Sequence, residues 1–397
     1  MILLEREWSS QIERRIRWQK QKKQIFRGKI QKFFRKKKKQ RRFMLNFAVV
    51  LLIGLVIILI ATNWSSIISP FKDAALEVGT GGFPVDLPGS TGYELEAMGD
   101  NFCLLTDTYL YTYNSDGANI AGIQHGFQNP AMSVNQKRAL VYDKNGKSFK
   151  FYSRSEQIYS NTLDDSIVFA EVGSSDRSAV VTTSTRYANY LYIFNSEGKQ
   201  IFRWASPENK IMQVCFSDDD NSIFVSVIGE RGGDLRLSIL RFDLDNSEDM
   251  IWQTDIGSDI TFSLEYCREG LYVVSGGGNM LLDKNSGEIT AQSHFTKTVS
   301  GIPDSDGMRA VVFHDTATNL QVVTVYNDAL EAGESLPPEK MTSFMVSGGK
   351  LYVMSGNFLY VYNSALEQAA EYELDDVYSD FKVIGSSAYL LGYNTVQ

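Results

Sequence analysis

Cysteine and histidine are scarce in this chain of 397 residues, with three of each. An odd number of cysteines excludes complete internal pairing, and Cys103, Cys215 and Cys267 each stand in an apolar stretch, where a thiol serves as a small hydrophobe. His125, His294 and His314 are scattered and lack zinc-ligand spacing, so they read as turn or strand-end residues. There is no Gly-x-Ser-x-Gly elbow, and no Ser, His and Asp set that spacing singles out. Two segments come nearer to chemistry. Gly276-Gly277-Gly278 lacks the following helix that phosphate binding needs and reads as a flexible hairpin. Asp218-Asp219-Asp220-Asn221 lacks the alternating ligands of a calcium loop and reads as an acidic surface turn. No catalytic, cofactor-binding or metal-ligating residue is expected, and the chain is expected not to be an enzyme.

Charge, by contrast, is plentiful and divided. Residues 1–42 hold 17 Lys or Arg against three carboxylates, Glu5, Glu7 and Glu13, a net of +14. Phe43 to Thr62 then runs for twenty residues without a charge, and the remainder carries a net of −22. About 20 apolar residues span the roughly 30 Å hydrocarbon core as a helix, and Lys and Arg stay on the cytoplasmic side. The expected protein is anchored by a single pass, with its N-terminus inside and its large domain outside. A cleavable signal is disfavoured, because the basic region and the apolar run are both too long and Ile60 to Trp64 offers no small-x-small exit. Trp64 sits where an interfacial aromatic belongs. Within the tail, Leu4, Trp8, Ile12 and Ile16 make one apolar stripe, and Phe26, Ile30, Phe33 and Phe34 a second. Such a basic helix suits anionic lipid headgroups, and the cluster from Arg35 to Arg42 is well placed for them. A disordered tail that only fixes topology is the alternative. Nucleic-acid binding is disfavoured, since no recognition motif accompanies the charges.

Beyond the span the chain repeats itself. A short apolar strand recurs eight times, from Phe102-Cys103-Leu104-Leu105 to Ala388-Tyr389-Leu390-Leu391, at intervals of 37 to 48 residues. Each is followed by an alternating aromatic strand, such as Tyr109-Leu110-Tyr111-Thr112-Tyr113 or Phe358-Leu359-Tyr360-Val361-Tyr362. Polar turns such as Asn114-Ser115-Asp116-Gly117 come next, where Asn, Asp and Gly tolerate positive φ. Four strands in about 40 residues, arranged radially, make a propeller blade. The fold expected is an all-β propeller of eight blades, with seven as the alternative. The last repeat is short of its third and fourth strands, so Phe83-Pro84-Val85-Asp86-Leu87 is expected to close the ring as its outer strand. The domain boundaries follow: a basic cytoplasmic tail over 1–42, a signal-anchor helix over 43–64, a tether over 65–82 and an extracytoplasmic propeller over 83–397.

The Asp283-Lys284-Asn285-Ser286-Gly287-Glu288 turn and the run from Gly198 to Trp204 resemble the repeat of PQQ-type propellers. With the basic tail, the span and the Phe83-Pro84-Val85-Asp86-Leu87-Pro88-Gly89 segment, the chain looks like a family of uncharacterised bacterial proteins, mostly Gram-positive. Those are single-pass membrane proteins with PQQ-like propeller ectodomains, so the resemblance implies architecture rather than chemistry. The vicinal cysteine pair of PQQ-dependent dehydrogenases is missing here, and only Trp204 and Trp252 occupy the repeat's Trp position. The expected role is a non-enzymatic scaffold in the cell envelope that holds a protein or glycan. Its contacts are expected on loops, around Tyr187, Tyr190 or Phe127. Two alternatives stand beside it: an enzyme whose residues converge on the propeller axis, and an envelope sensor that signals through the basic tail.

Overall fold

A computed structural model of the chain describes residues 81–87, 92–245, 249–303 and 306–397, together with Gly54. The expected tail, nearly all of the expected span and most of the tether lie outside the described residues. Among the described residues no helix is long and apolar enough to cross a membrane.

The described residues from 81 to 397 form eight four-stranded antiparallel sheets. Seven follow one another along the chain as blades 1 to 7, over 94–124, 130–162, 167–206, 210–257, 261–294, 298–335 and 343–373. The strands' places follow from their side chains. First strands of successive blades approach one another, as in blades 8, 1, 2 and 3, which puts them around the axis. Second strands such as Asn101–Leu105, Ser178–Thr182 and Leu271–Ser275 are buried at every position, matching their unbroken small and apolar sequences. Outer strands such as Asn119–Gln124 and Ile289–His294 leave half or more of their positions exposed.

Blade 8 is made from both ends of the propeller. Asp380–Ile384, Ser387–Leu391 and Thr395–Val396 are its first three strands, and Val85–Asp86 is the fourth. Val85 lies opposite Val396 and Asp86 opposite Thr395, so the expected closure by the 83–87 segment is what the structure has. Eight apolar clusters, one between each adjacent pair of blades, make up the core. The period-two aromatic rows fill these seams. Tyr190, Tyr192 and Phe194 of blade 3 face blade 2, while Phe102, Tyr113 and Tyr389 join blade 1 to blade 8.

Antiparallel order puts the 1–2 and 3–4 turns at one end of each blade, and the 2–3 turns and blade-to-blade links at the other. On the first face the 1–2 turns lace neighbouring blades together. Asn135 Nδ2 donates to Gly173 O at 2.5 Å, Arg138 Nε to Asp176 Oδ2 at 3.0 Å, and Gly348 N to Asp306 Oδ2 at 2.6 Å. Asp220 is the most deeply buried of these clamps. It is fully buried at φ 56°, and its Oδ2 accepts from the amides of Ser175 at 2.8 Å and Arg177 at 3.2 Å. The acidic run at 218–221 is therefore more than the surface turn expected of it, since a neighbouring blade needs Asp220 as an acceptor. The Asn turns also differ in detail. Asn114, Asn195, Asn327 and Asn363 accept amides of the next residues through Oδ1, while positive φ falls on Gly117, Gly198, Leu330 and Leu366. Side-chain capping, rather than the asparagine's own backbone, makes these turns.

Candidate binding site on the propeller rim

Three concavities differ in the polar and aromatic groups they present. The first, about 710 Å³, opens on the 1–2 face beside Cys267, Arg309 and Asp328. Arg309 donates to Asp328 Oδ1 at 2.8 Å and Glu269 Oε2 at 3.1 Å, and lies over the Tyr272 ring at 5.6 Å. Its guanidinium is thus spoken for within the fold. Cys267 follows the first strand of blade 5 rather than sitting within it, and its thiol donates to Gly270 O at 3.2 Å. Cys103 is buried, and all three cysteines are free.

The second concavity is the axial channel, about 900 Å³ along the first strands of blades 3 to 5, with Phe169, Glu171, Gln213, Phe262 and Glu265 in its wall. Glu171 accepts from Ser133 Oγ at 2.9 Å and Glu265 from Ser263 Oγ at 2.8 Å. Farther round the same ring of first strands, Lys382 of blade 8 meets Glu96 of blade 1 at 2.8 Å. Glu94 stands two residues away. Burial among its neighbours, then the Glu96 charge, push its carboxyl up to about 7, against the Met132 amide and Lys382, which pull it down. Glu94 is nonetheless an exposed residue, and solvent screening moderates the effect.

The third is a groove of about 460 Å³ at the rim, between blades 2 and 3. Tyr190 and Tyr192 alternate on the third strand of blade 3, and Arg203 lies opposite Tyr192 on the fourth, so all three project to one side. The Arg203 guanidinium lies 4.1 Å from the Tyr190 ring centre and 5.5 Å from that of Tyr192. Tyr187 meets Tyr190 edge-on at 5.4 Å, and Arg186 lies 5.4 Å over Tyr187. Asp164 and Asp165, on the link between the two blades, form the facing wall. Burial raises the Tyr192 phenol, and the Arg203 charge acts against it.

What separates this groove from the other two is a pair of arginines set over tyrosine rings and without an ion pair. Arg138, Arg177, Arg236 and Arg309 each reach a carboxylate. Arg186 and Arg203, both exposed, make no ion pair among the described residues despite two aspartates in the same groove. Each lies over a tyrosine ring, Arg186 over Tyr187 and Arg203 over Tyr190, and each is exposed to solvent.

Of the expected contact residues, the structure brings Tyr187 and Tyr190 together and leaves Phe127 apart. Phe127 stacks on His125 at 5.6 Å, and Lys150 lies 5.4 Å over its ring while donating to His125 O at 2.7 Å. That group is closed on itself. His125 is buried and its ring held down in pKa by burial, His294 ends an outer strand, and His314 lies within a second strand. Gly276 and Gly277 form a two-residue hairpin packed on Asp259, not a phosphate cradle. Arg186, Arg203, Glu94 and Lys382 escaped the sequence reading, because nothing in their local spacing tells which strand edge meets which.

A family described as "Family of unknown function (DUF5711)" matches residues 86–395. The chain belongs to that family. The DUF5711 match spans all eight blades, from the closing strand to the last. No curated protein sequence matches the chain. Among solved structures, it is similar to BamB from Moraxella catarrhalis, with a TM-score of 0.55 and 13% identity over 80% of this chain and 96% of that one. The C-terminal WD40 domain of Sif2 gives a TM-score of 0.57 at 11% identity, over 80% and 98% respectively. Saccharomyces cerevisiae Sqt1 gives 0.56 at 11% identity, over 78% and 98%. At such identities the likeness is one of fold: a β-propeller.

Proposed function

We propose that this DUF5711 chain is a membrane-anchored, extracytoplasmic and non-enzymatic scaffold of the cell envelope, which holds a protein partner in the rim groove between blades 2 and 3. The observation that carries the reading is the stack of Arg186, Tyr187, Tyr190 and Arg203 with unpaired guanidinium edges. Tyrosine and arginine are the residues on which binding energy concentrates at protein interfaces, and here they are held rigid by one another. The basic first 42 residues and the uncharged run after them support the anchor, and headgroup contacts at the tail go with it. The propeller architecture supports a scaffold, since it presents many loops on a stiff frame.

The test is to crosslink intact cells with a reagent that does not cross membranes, comparing the native chain with Tyr190→Ala and Arg203→Gln. One envelope protein captured by the native chain and lost from both variants supports the reading. Capture of nothing above a propeller-deleted control sinks it.

One observation favours a second reading, an active site on the axis. Glu94, with its carboxyl pushed up to about 7, stands beside the Glu96–Lys382 pair, as a general acid and its charged neighbours would. Turnover of envelope glycans or peptides by the purified chain, abolished by Glu94→Gln with the fold intact, is its signature. Absence of turnover across such a panel removes it.

A further inference from the structure

The geometry of the rim groove points to a partner segment of definite chemistry: an extended peptide that presents one isolated carboxylate side chain to Arg203. This rests on the protein-binding reading of the same groove and narrows it to a ligand class.

The guanidinium of Arg203 is fixed against two rings, 4.1 Å and 5.5 Å from the centres of Tyr190 and Tyr192. A stacked guanidinium has little freedom left to lose, and its planar fork matches the two oxygens of a carboxylate. Inside the fold this chain already pairs a ring-supported arginine with carboxylates, Arg309 over the Tyr272 ring donating one N–H to Asp328 and another to Glu269. At Arg203 the aromatic support is present and no carboxylate is paired with the guanidinium. Asp164 and Asp165 share the groove yet do not close on Arg203 or Arg186, so the cationic edges remain available.

The same aspartates decide what kind of anion fits. A polymer with closely spaced phosphates or uronates would bring several charges against Asp164 and Asp165 and into the field of a domain whose net charge is −22. A peptide with a single acidic side chain meets only the arginines. Its backbone amides and any basic neighbour are suited to the aspartates, and its apolar neighbours to Tyr187 and Tyr190. A groove of about 460 Å³ falls within the usual range of ligand pockets, room for side chains of a short extended segment.

The experiment uses the full-length chain and a phage-displayed library of random octapeptides, with the strongest binder then synthesised in glutamate and glutamine forms. The expected result is a set of binders sharing one acidic position. Glutamine in the peptide, or Arg203→Gln in the chain, weakens binding about tenfold or more, and the two changes together cost little beyond either alone. Arg203→Lys, which keeps the charge and loses the fork, falls between native and Arg203→Gln. Because Arg203 is exposed, an unchanged thermal midpoint verifies that each variant is folded. Binders without an acidic residue, or losses that simply add, overturn the inference. So does displacement of the peptide by inorganic polyphosphate at lower charge concentration than by an acidic peptide. If binders ignore Arg203 while crosslinked capture in cells persists, the carboxylate inference falls and the scaffold reading stands. If capture itself fails, the reading beneath it falls as well.

Discussion

Single residues hold the ring at its seams. Asp220 joins blade 4 to blade 3 by accepting two amides with one buried oxygen, and Arg177 donates back to its carbonyl at 2.7 Å. Asp220→Ala leaves those amides without an acceptor in a place water reaches poorly. Its expected cost is about 1–3 kcal/mol of unfolding free energy, read from denaturant titration. A loss within error would mean the turn re-pairs its amides elsewhere. Glu94 gives a pH dependence of known sign. Its folded value, about 7, lies above the ordinary 4.5, so between these values the folded chain keeps a proton that the unfolded chain has released. Stability contributed by this group is therefore present at low pH, falls as pH rises through that window, and stays lost above it. Glu94→Gln removes the slope, so the variant gains on the native chain between about pH 5 and about pH 8. Parallel stability curves for the two proteins would show that Glu94 titrates normally.

At the scale of elements, the closing strand is the most exacting piece. Val85, buried against Val396 and Tyr389, and Asp86 pair with the third strand of blade 8, and the Leu87 amide adds one bond to Asn394 O at 2.8 Å. Beneath it sits Gly117, at φ 77°, where an added Cβ would lie 2.9 Å from Val85 Cγ2 and 3.2 Å from the Phe83 ring. Gly117→Ala therefore strains its own turn and pushes the closing strand outward, at an expected cost of about 1–2 kcal/mol or more. Hydrogen exchange should show the opening concentrated at Thr395–Val396. Uniform loosening of the whole domain would argue against a local wedge. These elements were the most legible part of the sequence. The second strands announce themselves because burial on both faces demands unbroken small and apolar residues. The third strands do so through aromatic alternation, and the closing strand through a last repeat that falls short. The groove was half legible. Tyr187 and Tyr190 stood out as aromatics near a turn, but Arg203 reaches them only through pairing across the fourth strand. The Lys382–Glu96 pair, 286 residues apart in the chain, had no local signal at all.

As a whole molecule, the propeller relies on eight apolar seams and a ring of polar clamps, with all three cysteines free. Its thermal midpoint is expected to be the same with and without reductant, and a fall under reducing conditions would point to a pairing between molecules. Every blade buries its faces only against its neighbours, so stability belongs to the closed ring more than to any sheet within it.

The pairing of Val85 with Val396 also sets an order in time. The strand that finishes blade 8 is the first part of the propeller to be made, and it must wait, unpaired, while the other seven blades are synthesised. Until residue 396 arrives the chain can stack sheets but cannot shut. Any copy that stops short is left with two raw edges, which makes completion itself the event that separates a finished molecule from a sticky one.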